Sequence, residues 1–145
     1  MSGIVVGIDG SGHSQRALEW AMREAALRQL PLTVVTVHQT AVNYLGSTVS
    51  YAEDTPLTER TRKAAQQEAD GVLDRLGGSV PPQVTIQAVS GTPAEELLSA
   101  AKDADLLVVG SRGAGGFARL AMGSVSSQVA HHAHCPVAII PAKDH

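Results

Sequence analysis

Apolar residues along this chain follow two periods. Short runs rich in β-branched residues recur: GIVVGI (3–8), LTVVTV (32–37), QVTIQAV (83–89), DLLVV (105–109) and PVAII (136–140). They predict five strands. Between them apolar positions return every three or four residues: Leu18, Met22, Ala25 and Ala26; Ala65, Ala69, Val72, Leu73 and Leu76; Ala94, Leu97, Leu98 and Ala101. That spacing predicts helices with one buried stripe. The punctuation agrees. Pro31 lies just beyond the first helix, Gly77-Gly78 stops the second, and Thr92-Pro93-Ala94-Glu95 opens the third as a capping box. A fourth helix is expected from about Ser124 to Ala133.

Strands alternating with helices, several of them almost wholly apolar, predict a parallel sheet covered on both faces. The expected architecture is a single α/β domain over residues 1–145. Its five-stranded parallel sheet runs in the order 3-2-1-4-5, in the manner of Rossmann-like nucleotide-binding folds. A chain of 145 residues suits one domain of this kind.

Composition narrows the function by exclusion. A hydrophobic fraction of 43% and a charged fraction of 17% describe an ordinary globular chain. A net charge of −3 and a pI near 6.0 supply no footprint for nucleic acid or an anionic membrane. No apolar stretch approaches the ~18 residues of a membrane span. The N-terminal residues carry neither a basic region nor a cleavage site, and Cys135 is the single cysteine, so a cytoplasmic protein is expected.

The chemistry concentrates in GSRGAGGFARLAMGS, residues 110–124, which holds five of the fourteen glycines. In a 3-2-1-4-5 sheet the strand order reverses between strands 1 and 4, where ligands bind beyond the carboxyl ends. The residues leaving those strands are GIDGSG (7–12) and GSRGAGG (110–116), the two glycine-richest junctions. Such a run lets backbone N–H groups converge on an anion, and a helix N-terminus adds its unpaired donors. Arg112 and Arg119 are the only charged side chains between Gly110 and Ser124. A phosphate cradle is the reading. It fits neither common phosphate loop: Gly116 stands where a Walker A loop needs lysine, and the acid a dinucleotide site needs about 20 residues onward is missing.

The spacing Gly110-x2-Gly113-x9-Gly123-Ser124, with VVGIDGS near the start, LLVVGSRGAGG, and AMGSVSSQVAHHAHCPVAII, resembles the G-2x-G-9x-G-[S/T] signature of ATP-binding universal stress proteins. The resemblance covers residues 3–141 and is nearest in character to the actinobacterial branch. It implies that Asp9 meets the ribose hydroxyls or the adenine edge, that Gly7 allows close approach, and that Val37 packs on adenine. It implies that Gly110, Ser111, Arg112, Gly113, Ala114, Gly115 and Gly116 wrap the ribose and phosphates. Gly123, Ser124 and Val125 would hold phosphates at the helix N-terminus, with Mg²⁺ as a companion ion. It also implies a homodimer through strand 5, at Val137, Ala138, Ile139 and Ile140. An apolar edge strand favours a partner in its own right.

Simpler roles stand beside these. Asp9 serves equally as a cap for the first helix, as do Ser11 and Ser14, and Arg112 as a solvated loop cation. His131, His132 and His134 suit a helix C-terminus better than a metal. Cys135 reads as a small buried residue entering strand 5, and His38 stays unassigned. Residues 38–55, with Tyr44 and Tyr51, have no clear period and read as a lid over the ligand or a tether across a dimer. No nucleophile elbow, paired acids or phosphate-reaching lysine accompanies the loop, so binding is favoured over turnover. The expected function is a cytoplasmic, ATP-dependent switch or interaction module of the stress response. The alternatives are a slow ATPase or autophosphorylating enzyme, with Ser11, Ser111 or Ser124 as acceptors, and a cAMP-binding protein using the same adenine–ribose site.

Overall fold

The computed structural model describes residues 3–38, 55–111 and 118–141, with residues 55 and 118–123 described by their backbone. The elements run β1 (Ile4–Ile8), α1 (Gly12–Arg28), β2 (Leu32–His38), α2 (Thr55–Leu76), β3 (Val84–Ser90), α3 (Pro93–Ala100), β4 (Leu106–Gly110), α4 (Ala118–His132) and β5 (Val137–Ile140). All strand pairs are parallel and the sheet order is β3-β2-β1-β4-β5. The predicted parallel sheet order is the observed one.

The middle of the sheet explains why the strands read as unbroken apolar runs. Every residue of β1 and of β4 is buried, because helices cover both faces. On one face α1 and α2 bury Leu18, Met22, Ala69 and Val72 against Ile4, Val6, Leu32, Val34 and Val108. On the other, α3 and α4 bury Ala94, Leu97 and Val129 against Val5, Val35, Leu107 and Val109. Alternate residues of each strand thus feed opposite layers. The edge strand β3 instead alternates half-buried and exposed residues, VTIQAVS, as a strand covered mainly on one face should.

Two helix starts differ from expectation. Thr92 is the N-cap of α3, but its side chain makes no capping hydrogen bond. Pro93, which has no N–H to satisfy, and Glu95 and Glu96 at the positive end of the dipole reduce what a cap would add. The larger difference is α4, which begins at Ala118 and not near Ser124. Ala118, Leu120, Ala121 and Met122 are strong helix formers, and one glycine at about 1 kcal/mol does not end a helix with good formers on both sides. Gly123 was given the weight of a boundary that its neighbours outvote.

Candidate functional site

The sheet splits at its switch point. β1 and β4 are paired from Ile4–Leu106 only as far as Val6–Val108, although β1 runs on to Ile8 and β4 to Gly110. On their outer sides both strands stay paired further, Ile8 with Thr36 and Gly110 with Ile140. A crevice therefore opens between Gly7–Asp9 and Val109–Ser111, at the carboxyl ends where such sheets bind ligands. β2 also outruns β1: its pairing with β3 extends to His38–Ser90, one residue beyond Val37. The main chain of Val37 thus emerges past the last β1 residue paired with β2.

The β1–α1 junction is a closed hydrogen-bond circuit. Asp9 Oδ1 accepts from the Ser11 N–H at 3.0 Å and from the Ser11 hydroxyl at 2.6 Å. Ser11 is the N-cap of α1, and its Oγ accepts from the Ser14 N–H at 3.1 Å. The Ser14 hydroxyl donates to the Ser11 carbonyl at 3.1 Å, and Ser14 Oγ accepts from the Asp9 N–H at 3.2 Å. Gly10 turns the chain at φ +84°, a conformation glycine adopts without strain. Capping thus falls to Ser11, while Asp9 builds the turn that presents it. Ser14 is fully buried, so Ser14→Ala removes the acceptor of the Asp9 N–H. That variant should lose about 1–2 kcal/mol in denaturant unfolding, the cost of a stranded donor.

The other predicted site residues divide into three groups. Val37 is half-buried and packs toward the α3–α4 layer beside Val89, while His38 Nε2 lies 3.2 Å from Thr58 Oγ1 on α2. Gly110 closes β4, and the Ser111 N–H donates to the Ile140 carbonyl at 2.9 Å. Gly7 stands in the crevice wall, but the volume a side chain there would fill belongs to Leu97 of α3, whose methyl carbons would lie 2.8 Å from a Cβ. The close approach that needs glycine at position 7 is helix packing. Arg112, Gly113, Ala114, Gly115 and Gly116 lie outside the described residues, as do most of 38–55.

Gly123, Ser124 and Val125 are placed differently from the expected helix N-terminus. They lie inside α4, not at its N-terminus, so their N–H groups fall within the i→i−4 ladder of the helix. Ser124 is exposed, Val125 is half-buried against the α3–α4 core, and Ser126 is buried.

The structure adds a wall that the sequence reading missed. A cavity of about 330 Å³ opens at the ends of β1 and β2 beneath α2, bounded by Asp9, Gly10, Thr36, Arg60, Thr61 and Glu68 among others. Its volume lies at the lower end of the small-ligand range. The legible signal was in α2, where Thr61 and Glu68 each stand four residues before a buried residue, Ala65 and Val72.

Burial raises the Glu68 carboxyl above the usual carboxylate range, and the nearby Asp9 charge adds to the shift. Among the described residues no group of three or more His, Cys, Asp or Glu is placed to hold a metal ion. None of their helices is long and apolar enough to cross a membrane.

Comparison with known proteins places this geometry. A family profile described as the universal stress protein family matches residues 1–141. A universal stress protein of Mycolicibacterium smegmatis is 34% identical over 148 residues, covering 98% of this chain and 49% of that protein. The chain thus spans about half the length of the curated relatives it matches. Among solved structures, UspA of Lactobacillus plantarum superposes with TM-score 0.70 at 28% identity, covering 96% of this chain and 97% of that one. A universal stress protein in complex with cAMP superposes with TM-score 0.67 at 27% identity, covering 98% of each chain. A split parallel sheet with glycine-rich exits from strands 1 and 4, matched along nearly its whole length, makes this chain a member of the universal stress protein family.

Proposed function

We propose that this chain is a cytoplasmic ATP-binding protein whose bound nucleotide switches an interaction with a partner. One observation carries the reading: β1 and β4 part after Val6–Val108, opening a crevice between Asp9 and Gly110–Ser111 at the switch point. In this reading the nucleoside lies over the ends of β1 and β2, near Asp9 and Val37. The phosphates, with Mg²⁺ as counter-ion, follow the glycine run from Gly110 through Ser111, Arg112, Gly113, Ala114, Gly115 and Gly116 into the first turn of α4.

The cAMP complex of a 27% identical relative supports adenine recognition and favours cAMP as the second ligand to weigh. The family's adenine–ribose contacts serve either nucleotide, whereas an extended glycine run suits a triphosphate. Calorimetric titration with ATP and cAMP side by side decides between them. Tighter binding of ATP supports the proposal, and preference for cAMP replaces it with the second reading.

Assembly belongs to the same proposal. β5 pairs with β4 alone, leaving Val137, Ala138, Ile139 and Ile140 along a sheet edge where a second copy of the chain adds its own β5.

A further inference from the structure

Helix α2 changes character along its length. Ala65, Ala69 and Val72 sit at helical spacing and are buried in the core. The adjoining face toward the N-terminus of the helix carries Leu57, Arg60, Thr61 and Ala64, of which only Thr61 is half-buried, and Glu68 borders it. These residues cover no apolar core. They wall the cavity of about 330 Å³ whose other side is Ile8, Asp9, Gly10 and Thr36. Hydrophobic burial therefore does not account for Arg60, Thr61 and Glu68 on this face.

Glu68 is the least expected of the three. It is half-buried, and among the described residues it makes no hydrogen bond or ion pair. A partly desolvated carboxylate beside a second carboxylate is unfavourable unless donors reach it. Among the described residues none does. Arg60, two turns toward the N-terminus, lines the same cavity from an exposed position, with no ion pair among the described residues. With Asp9 and Glu68 in its lining, the cavity is acceptor-rich, which suits a ligand that brings hydrogen-bond donors.

We infer that Glu68 is a second carboxylate of the nucleotide site, accepting beside Asp9 hydrogen bonds from donors of the bound adenine nucleoside. This inference rests on the nucleotide-binding reading above. The donors are the ribose diol or the exocyclic amine of the base, which share this chemistry and separate experimentally. Glu68 is a binding residue held at a cost to the unliganded fold, since its charge is partly desolvated and lies near that of Asp9.

The test is calorimetric titration of the full chain and of Glu68→Gln with ATP, 2′-deoxy-ATP and inosine triphosphate, with melting curves of both unliganded proteins. Glu68→Gln should weaken ATP binding about tenfold, the scale of one charge-assisted hydrogen bond, while raising the melting temperature at neutral pH. Opposite signs in affinity and stability are what a merely structural role would not produce. If the ribose diol is the donor, wild type prefers ATP over 2′-deoxy-ATP and the variant loses that preference. If the amine is the donor, the lost preference is for ATP over inosine triphosphate. ATP affinity in Glu68→Gln within twofold of wild type overturns the inference and leaves the nucleotide site standing. An affinity loss accompanied by a lowered melting temperature overturns it as well. Absence of nucleotide binding by the wild type defeats both readings together.

Discussion

Replacing Asp9 by asparagine should weaken ATP binding at least tenfold and leave the β1–α1 turn in place. The reason lies in what each carboxyl oxygen can be replaced by. The Asp9 side chain accepts the N–H and the hydroxyl of Ser11 through one oxygen, and an asparagine carbonyl accepts both in the same turn. The turn, the Ser11 cap and the start of α1 therefore survive. The negative charge does not, and hydrogen bonds to a charged acceptor contribute about 1.5–3 kcal/mol, equivalent to roughly 10- to 150-fold in affinity. Asp9→Ala removes charge and turn together, and should add a stability loss of about 1–2 kcal/mol to the affinity loss. Titration calorimetry paired with urea unfolding separates the two. An asparagine variant with wild-type affinity reduces Asp9 to the builder of a turn.

The second large effect concerns assembly. Wild-type chain should sediment as a dimer, and Ile139→Lys should weaken that dimer at least thirtyfold while leaving the far-ultraviolet circular dichroism unchanged. Ile139 is 42% exposed at the free edge of β5, next to Val137, Ala138 and Ile140. Its backbone pairs with Val109 whatever the side chain, so a lysine there spares the β4–β5 ladder. A charge at the centre of an edge-to-edge interface instead blocks pairing, the device by which natural sheets keep their edges apart. Loss of about 2 kcal/mol at one central residue corresponds to the thirtyfold change. Sedimentation equilibrium over a range of concentrations measures it. A wild type that stays monomeric throughout contradicts the strand-5 interface.

Much of this architecture is written in local pattern. IVVGI and LLVVG are buried at every position, a burial that only central strands of a parallel sheet require, and the βα alternation carries the order of the rest. The switch point followed from topology, and glycine content selected the same two junctions. What stayed hidden depends on neighbours distant in sequence. Gly7 reads as room for a ligand until Leu97 is seen to fill it. The start of α4 is hidden because Gly123 reads as punctuation, although Ala118, Leu120, Ala121 and Met122 before it favour helix. Glu68 and Thr61 escape notice because counting apolar positions along α2 rewards Ala65, Ala69 and Val72 and ignores polar residues in the same register. The site's polar wall is visible only once α2 is laid across β1 and β2.

The central claim is that an adenine nucleotide binds at the carboxyl ends of β1, β2 and β4. Titrating ATP into isotopically labelled chain and following backbone amide resonances tests it most directly. The account predicts saturable shifts at Asp9, Gly10, Val37, Gly110 and Ser111, with little change at Gly3, Thr33, Ser99 and Lys102, which line a cavity at the opposite ends of the strands. Shifts confined to that opposite end, or no saturable shift at millimolar ATP, would contradict it.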